Sequence, residues 1–329
     1  MADSGEHTPV TLLAGFLGSG KTTLLNRILS ERHGEAIAVL VNEFGEVGID
    51  GRLVVGASED VIELQNGCVC CTVRGDLQRS LTGLLRRRRR RLFRRAPFER
   101  VVIEASGLAS PGPVAQTLVL VPELEQELRL DGVVTLAHAA LIGRQLERHP
   151  EAADQLGYAD RIVLNHRDRC GPGGLAAARR AVTAINSTAE VLEATRADVP
   201  IAELLALRSL EPGAWRLAGG AAAAEHGTHE HATGVGTVVL TTREELDLFR
   251  LKLWLQFVAA RRGQELLRMK GLFRCRDHGP AVVVQAVYQW LELGPGPGEP
   301  PEESVLVLIG RDLDRDELER GFAACRAAG

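Results

Sequence analysis

The sequence predicts an α/β chain: a mostly parallel sheet with helices on both faces, followed by a smaller α+β domain. Three observations predict it. Short, mostly apolar stretches at 9–14 (PVTLLA), 36–41 (AIAVLV), 101–104 (VVIE), 133–137 (VVTLA) and 160–165 (DRIVLN) alternate with helix-period stretches. Strands of that kind are buried on both faces, and parallel pairing needs long crossover connections. The composition then shifts near residue 211, and a second pattern begins after it. Finally, 329 residues suit about two domains at roughly 150 residues each.

Element by element, the first strand runs into glycines and then into a helix with Leu24, Leu25, Ile28 and Leu29 on one face and Gly34 as its stop. Residues 211–236 are rich in Gly, Ala and His and read as a linker, which divides the chain into domains 1–210 and 237–329. In the second domain 237–241 (TVVLT) reads as a strand and 243–260 as a helix carrying Leu246, Phe249, Leu253 and Phe257. Residues 266–273, 281–290 and 303–309 read as three strands, with 293–301 (LGPGPGEPP) joining the last two and 314–326 as a final helix.

Composition narrows the function classes. Hydrophobic residues make up 45% and charged residues 25%, which excludes disordered and fibrous chains. The net charge of −4 supplies no basic field for nucleic acid. No apolar run approaches the roughly 18 residues of a membrane span. Met1 to Pro9 carries Asp3 and Glu6 without the charged-then-apolar layout of a signal peptide, so the expectation is a cytoplasmic protein. Six cysteines in this length do not suggest a disulfide framework. The run Arg86 to Arg91, with Arg94 and Arg95 behind it, reads as a solvated helix end or loop, or else as a docking patch for an acidic partner.

Gly15-Phe-Leu-Gly18-Ser19-Gly20-Lys21-Thr22 matches G-x-x-x-x-G-K-[ST], between a strand and a helix as that motif requires. Its glycines let backbone N–H groups approach phosphate oxygens, and the helix N-terminus adds partial positive charge. Lys21, one of only three lysines with Lys252 and Lys270, would neutralise the β- and γ-phosphates. Thr22 would ligate Mg²⁺, and Thr23 follows it in the nucleotide-binding set. Glu104-Ala-Ser-Gly107 ends a strand: a carboxylate there can hold Mg²⁺ through water, and the Gly107 N–H can sense a γ-phosphate. Lys21, Thr22 and Glu104 form the catalytic set. Asn165-His166-Arg167-Asp168 ends a later strand. Asp168 can accept from both N1–H and the exocyclic amine of guanine, a donor pair that adenine lacks.

Gly67-Cys68-Val69-Cys70-Cys71 places three thiols in four residues. Cys68 and Cys70 point the same way in an extended segment and can share Zn²⁺, Cu(I), Ni²⁺ or Co²⁺, with Cys71 joining through a turn. The remaining ligand would be water, Glu43 or a group from a partner, and such an open site suits transfer. Glu43 lies in a loop, Asn42 to Asp50, that a triphosphate can order. His226, His229 and His231 in the linker form a possible auxiliary metal-collecting group.

These residues carry a likeness. The chain resembles the CobW-type P-loop GTPases, metallochaperones or metalloenzyme activators, in GFLGSGKTTLLN at 15–26, VNEFGEVGID at 41–50, ELQNGCVCCTVRGDL at 63–77, EASGLASP at 104–111 and YADRIVLNHRD at 158–168. LLRMKGLF at 266–273 and VLIGRDLD at 307–314 resemble that family's C-terminal domain. The resemblance implies a P-loop NTPase sheet, GTP hydrolysis with Mg²⁺, a transition metal at Cys68, Cys70 and Cys71 (zinc first, then cobalt or nickel), a client metalloprotein, and a homodimer or client docking. Two positions depart from the family pattern. His166 stands where the family has lysine, and His138 where it often has aspartate; His138 is expected at the surface. The expected function is a GTP-hydrolysing metallochaperone. The alternatives are a nucleotide-gated scaffold with structural cysteines, and an ATP-using P-loop kinase.

Overall fold

The computed structural model describes residues 7–31, 33–42, 53–56, 73–90, 98–207, 234–263, 265–287, 290–296 and 298–327. The first half contains β1 (Thr8–Gly15), α1 (Lys21–Ser30), β2 (Ile37–Asn42), β3 (Leu53–Gly56), α2 (Val73–Arg90), β4 (Arg100–Ala105), α3 (Gly112–Leu120), α4 (Pro122–Glu125), β5 (Leu128–His138), α5 (Ile142–Arg148), α6 (Pro150–Gly157), β6 (Arg161–Asn165), α7 (Gly174–Ile185), β7 (Glu190–Glu193) and α8 (Ile201–Leu205). The second contains β8 (Val235–Thr242), α9 (Leu248–Arg261), β9 (Leu266–Phe273), β10 (Val282–Val287), β11 (Trp290–Pro295), β12 (Ser304–Arg311) and α10 (Arg315–Ala323).

The first sheet has the order β3-β2-β4-β1-β5-β6-β7. Six strands are parallel, and only the edge strand β3 runs antiparallel to its neighbour. Period-two alternation sends each strand's side chains to opposite faces. Val10, Leu12 and Ala14 of β1 join a core with α2, α3 and α7, while Leu13 joins Leu24, Leu25 and Ile28 of α1 on the other face. Each fully buried leucine or isoleucine there contributes about 1.5–3 kcal/mol. The expected fold class, an α/β sheet with helices on both faces plus a smaller α+β domain, is the one observed.

The second sheet is antiparallel, in the order β11-β10-β9-β12-β8. The segment 281–290 is not one strand: β10 and β11 form a hairpin with Val287 opposite Trp290, and β11 takes in residues expected to be linker. The run VVVQAVYQWLEL holds no glycine, proline, asparagine or aspartate to announce a turn. The structure adds the short strands β3 and β7 at the two edges of the first sheet. One face of the second sheet packs on α9 and α10 through Leu306 and Leu308. The other, through Val305, Val307 and Ile309, continues the core that reaches Ala153, Leu156 and Val182. The two sheets therefore share one apolar boundary.

A bulge in β9 shapes that boundary. Ile309 pairs with Arg268 but Gly310 pairs with Leu266, leaving Leu267 as the extra residue. Leu267 lies against Gly157, where a side chain would strike it, and Arg268 reaches Asp160 just before β6. Arg86 to Arg90 form the end of α2, with Arg88 lying 5.6 Å from the Phe98 ring centroid and donating to the Thr8 hydroxyl, and Arg91, Arg94 and Arg95 lie outside the described residues. Among the described residues no helix is long and apolar enough to cross a membrane.

Candidate functional site

The C-terminal ends of β1, β4, β5 and β6 converge on one edge of the first sheet, where open parallel sheets take their ligands. β1 ends at Gly15. A Cβ there would lie 2.4 Å from the Leu136 carbonyl oxygen, so no other residue fits so close to β5. The loop through Gly18 and Ser19 ends at Gly20, the N-cap of α1, with φ +105°. A Cβ at Gly20 would meet Asn165 Nδ2 at 2.3 Å.

α1 starts without a side-chain cap and without an acidic residue in its first turn. Its first backbone N–H groups have no intrahelical acceptor, and its dipole favours an anion. Lys21 is buried and donates through Nζ to the Gly15 carbonyl at 2.7 Å and the Phe16 carbonyl at 3.5 Å, so its charge sits over the same loop. Thr22 and Thr23 follow on exposed positions of the first turn. The Thr22 hydroxyl donates to Glu104 Oε1 across 3.5 Å. A hydroxyl beside a carboxylate is an all-oxygen donor pair, the set a hard cation such as Mg²⁺ prefers, and the residues fit that ion.

Gly107 follows β4 and packs so closely on Leu17 that a Cβ would lie 2.5 Å from Leu17 Cδ2. The Gly107 and Ala109 carbonyls each accept from Gln155 Nε2 at 3.1 Å. Gln155, on α6, was missed by sequence reasoning; a glutamine on a helix gives no local signal of its target. Its neighbour Asp154 accepts from Arg311 Nε at 3.0 Å, on β12 of the second sheet. Burial holds the Asp154 carboxyl above the usual carboxylate range, the Arg311 bond offsetting only part of that.

Asn165 is fully buried and holds two loops together. Its Nδ2 donates to the Ser19 carbonyl at 2.9 Å, and its Oδ1 accepts from the Ala197 N–H at 2.8 Å. His166 follows in the left-handed region at φ 60°, and Asp168 is exposed on the short 3₁₀ turn Arg167–Arg169. His138, expected at the surface, is buried at the end of β5 and stacks on His166 with ring centroids 4.3 Å apart. The polar end of β5 is buried where the residue after β6, His166, brings a ring over it.

Gly15, Gly18, Ser19, Gly20, Lys21, Thr22, Thr23, Glu104, Gly107, Asn165 and Asp168 are thus brought to one edge of the sheet. Glu43, Cys68, Cys70, Cys71, His226, His229 and His231 lie outside the described residues.

The model of the CobW/HypB/UreG nucleotide-binding domain matches residues 9–193, and that of the cobalamin synthesis protein cobW C-terminal domain matches residues 235–326. The chain belongs to the CobW family. Among its relatives, the zinc chaperone YjiA of Escherichia coli (strain K12) is 32% identical over 96% of this chain and 98% of that protein. The zinc-regulated GTPase metalloprotein activator 1 of Schizosaccharomyces pombe is 37% identical over 58% of this chain and 46% of that protein. The crystal structure of Zn(II)-bound YjiA GTPase from E. coli covers 98% of this chain and 99% of its own, with a TM-score of 0.74 and 30% identity. In this CobW-family chain the nucleotide-binding match takes in the whole convergent edge from Gly15 to Asp168.

Proposed function

We propose that this CobW-family chain is a GTP-hydrolysing zinc metallochaperone that binds its cargo at Cys68, Cys70 and Cys71, with Glu43 as a further ligand, and hands it to a client metalloprotein as the nucleotide state changes. The chain is a GTPase whose nucleotide is GTP and whose metal is zinc. The reading divides the protein into a hydrolysing body, residues 1–210, a linker, 211–236, and a docking body, 237–329, working in the cytoplasm. His226, His229 and His231 in the linker would collect metal.

One observation carries the nucleotide half of this reading: Asn165 ties the base-reading loop to the phosphate loop by its bond to the Ser19 carbonyl. A nucleotide seated there would present its phosphates to the uncapped start of α1 and to Lys21, and its guanine edge to Asp168. Thr22 and Glu104 would hold Mg²⁺, which supplies charge neutralisation at the β–γ bridge. The loop at Gly107 and Ala109 would register the γ-phosphate. Gln155 fastens that loop to α6, and α6 meets the second sheet through Asp154 and Arg311. Nucleotide state and metal grip are then one coupled equilibrium, so zinc would tighten GTP binding by the factor by which GTP tightens zinc.

The test is a Co²⁺ titration of reduced protein with and without a non-hydrolysable GTP analogue. Thiolate-to-cobalt absorption that strengthens with the analogue and vanishes in Cys70→Ser is expected, alongside loss of hydrolysis in Lys21→Ala. Equal absorption in both nucleotide states would sink the coupling. Absorption absent in both would favour a scaffold with structural cysteines.

A further inference from the structure

The helix α9 is apolar on two faces. Leu251, Leu255 and Val258 point into the core of the second domain and are buried. Phe249, Leu253 and Phe257, the positions whose spacing marks this helix in the sequence, lie on the opposite side and are 70%, 51% and 51% exposed. They recur at i, i+4 and i+8, so they form one stripe about 12 Å long. A helix that is apolar all round is ordinarily buried; scattered exposed apolar residues are normal, but a contiguous stripe marks an interaction site. Beside the stripe a groove of about 450 Å³ opens between α9 and the edge strand β11, lined by Gln256, Ala259, Ala260, Trp290 and Leu291. Gln256 and Ala260 stand three residues on from Leu253 and Phe257, so groove and stripe are continuous.

The charges around the stripe say what covers it. The exposed face of α9 also carries Arg250, Lys252 and Arg261, and no acidic residue. Arg261 lies over the Phe257 ring at 5.5 Å from its centroid and reaches Glu317 only at 3.9 Å. Among the described residues no carboxylate pairs with Arg250 or Lys252. A second copy packed on this stripe, in either direction, would bring basic side chains onto basic side chains, which is destabilising. A bilayer is flat on this scale and would leave the groove unfilled. We propose that the stripe and groove of α9 dock an acidic amphipathic helix of a protein partner, its apolar side chains on Phe249, Leu253 and Phe257 and in the groove beside Trp290, its carboxylates on Arg250, Lys252 and Arg261. Helix-in-groove recognition uses this i, i+4 spacing of anchors, and charges at the rim set the choice of partner and the rate of encounter. As the client's landing place, the surface rests on the metallochaperone reading above and deepens it.

The experiment measures peptide binding to the full chain by fluorescence anisotropy, with neither nucleotide nor metal present, so its outcome is separate from that of the cobalt titration. The probe is a labelled peptide of about 16 residues with leucine at i, i+4 and i+8 and glutamate on both flanks; a second peptide has lysine in place of each glutamate. The glutamate peptide is expected to bind wild type in the micromolar range, and more weakly as salt is raised. Leu253→Asp should weaken it about tenfold or more. The double variant Arg250→Glu, Lys252→Glu keeps the apolar stripe; it should lose the glutamate peptide by a similar factor and gain the lysine peptide, a reversal that misfolding does not produce. A glutamate peptide that fails to bind wild type, or that binds no better than the lysine peptide, overturns the proposal. So does tight binding of phosphatidylglycerol vesicles that Leu253→Asp abolishes, which would give the stripe to a lipid surface. A wild-type dimer in sedimentation that Leu253→Asp turns into a monomer would give it to a second copy and overturns it equally. Cobalt absorption that ignores nucleotide while peptide binding persists overturns instead the metallochaperone reading and leaves the docking surface standing.

Discussion

Asp160 and Arg268 meet at 2.6 Å in the boundary between the two sheets, with side chains 3% and 0% exposed. Asp160 stands immediately before β6, the strand that carries Asn165 to the candidate site, and its Oδ2 also accepts from the Val133 N–H at 3.0 Å. Arg268 comes from β9, beside the bulge that brings Leu267 onto Gly157. Lys270, the next residue on the same side of β9, stands 3.3 Å from the same carboxylate. One anion at the root of the strand that bears Asn165 thus holds two cations from the other sheet.

The two cations should not be equivalent. Arg268→Met leaves Asp160 buried with a single, poorly solvated lysine, and breaking a buried pair in this way costs about 3–5 kcal/mol. Lys270→Met leaves the closer Arg268 contact intact and removes a charge that is costly to bury, so it should cost less than about 1 kcal/mol or be stabilising. Urea unfolding midpoints of the two variants give the comparison. Equal losses would mean that Asp160 does not distinguish its partners.

The same cluster predicts a pH effect of definite sign. Burial, only partly offset by Asp160, brings the Lys270 ammonium down to about 8 from an ordinary 10.5. The folded state therefore releases this proton first, and between those two values the unfolded chain binds more protons. Stability then rises with pH across that window, and the penalty of the buried charge is fully present below it. Relative to Lys270→Met, the wild type should gain on the order of 1–3 kcal/mol as pH rises through the window. Paired denaturant titrations read the difference, and a gap that stays flat with pH would refute it.

Gln155 is the third test. Gln155→Ala removes both bonds that fasten the Gly107 and Ala109 carbonyls to α6. Leaving two such carbonyls unpaired costs about 1–3 kcal/mol. The larger effect should be on function: GTP hydrolysis falls, and the difference in cobalt absorption between GDP and a GTP analogue shrinks, while GDP affinity stays near wild type. A variant with full nucleotide-dependent absorption would show that the γ-phosphate signal does not pass through α6.

The turn from Gly15 to Lys21 was legible because its constraints are local. Gly15, Gly20 and Lys21 are dictated by backbone approach and helix-end electrostatics within one turn, and a linear motif records such constraints. The alternating apolar strands and the crossover helices were legible for the same reason. The hairpin between β10 and β11 was not, because its apolar run carries no turn residue. His138 was misjudged as a surface residue because burial of a strand-end histidine depends on what the next strand brings over it, here His166.

The sequence by itself determined the α/β class and the family, since each is written in residues that act within a few positions of one another. Only the tertiary structure decided that Asp160 answers Arg268 across more than a hundred residues, that Gln155 holds the Gly107 loop, and that two histidines share one stack. The physical reason is that a buried charge or an orphaned carbonyl must find a partner wherever packing puts one. Hydrophobic periodicity names the face a residue occupies and carries no record of the group that meets it there.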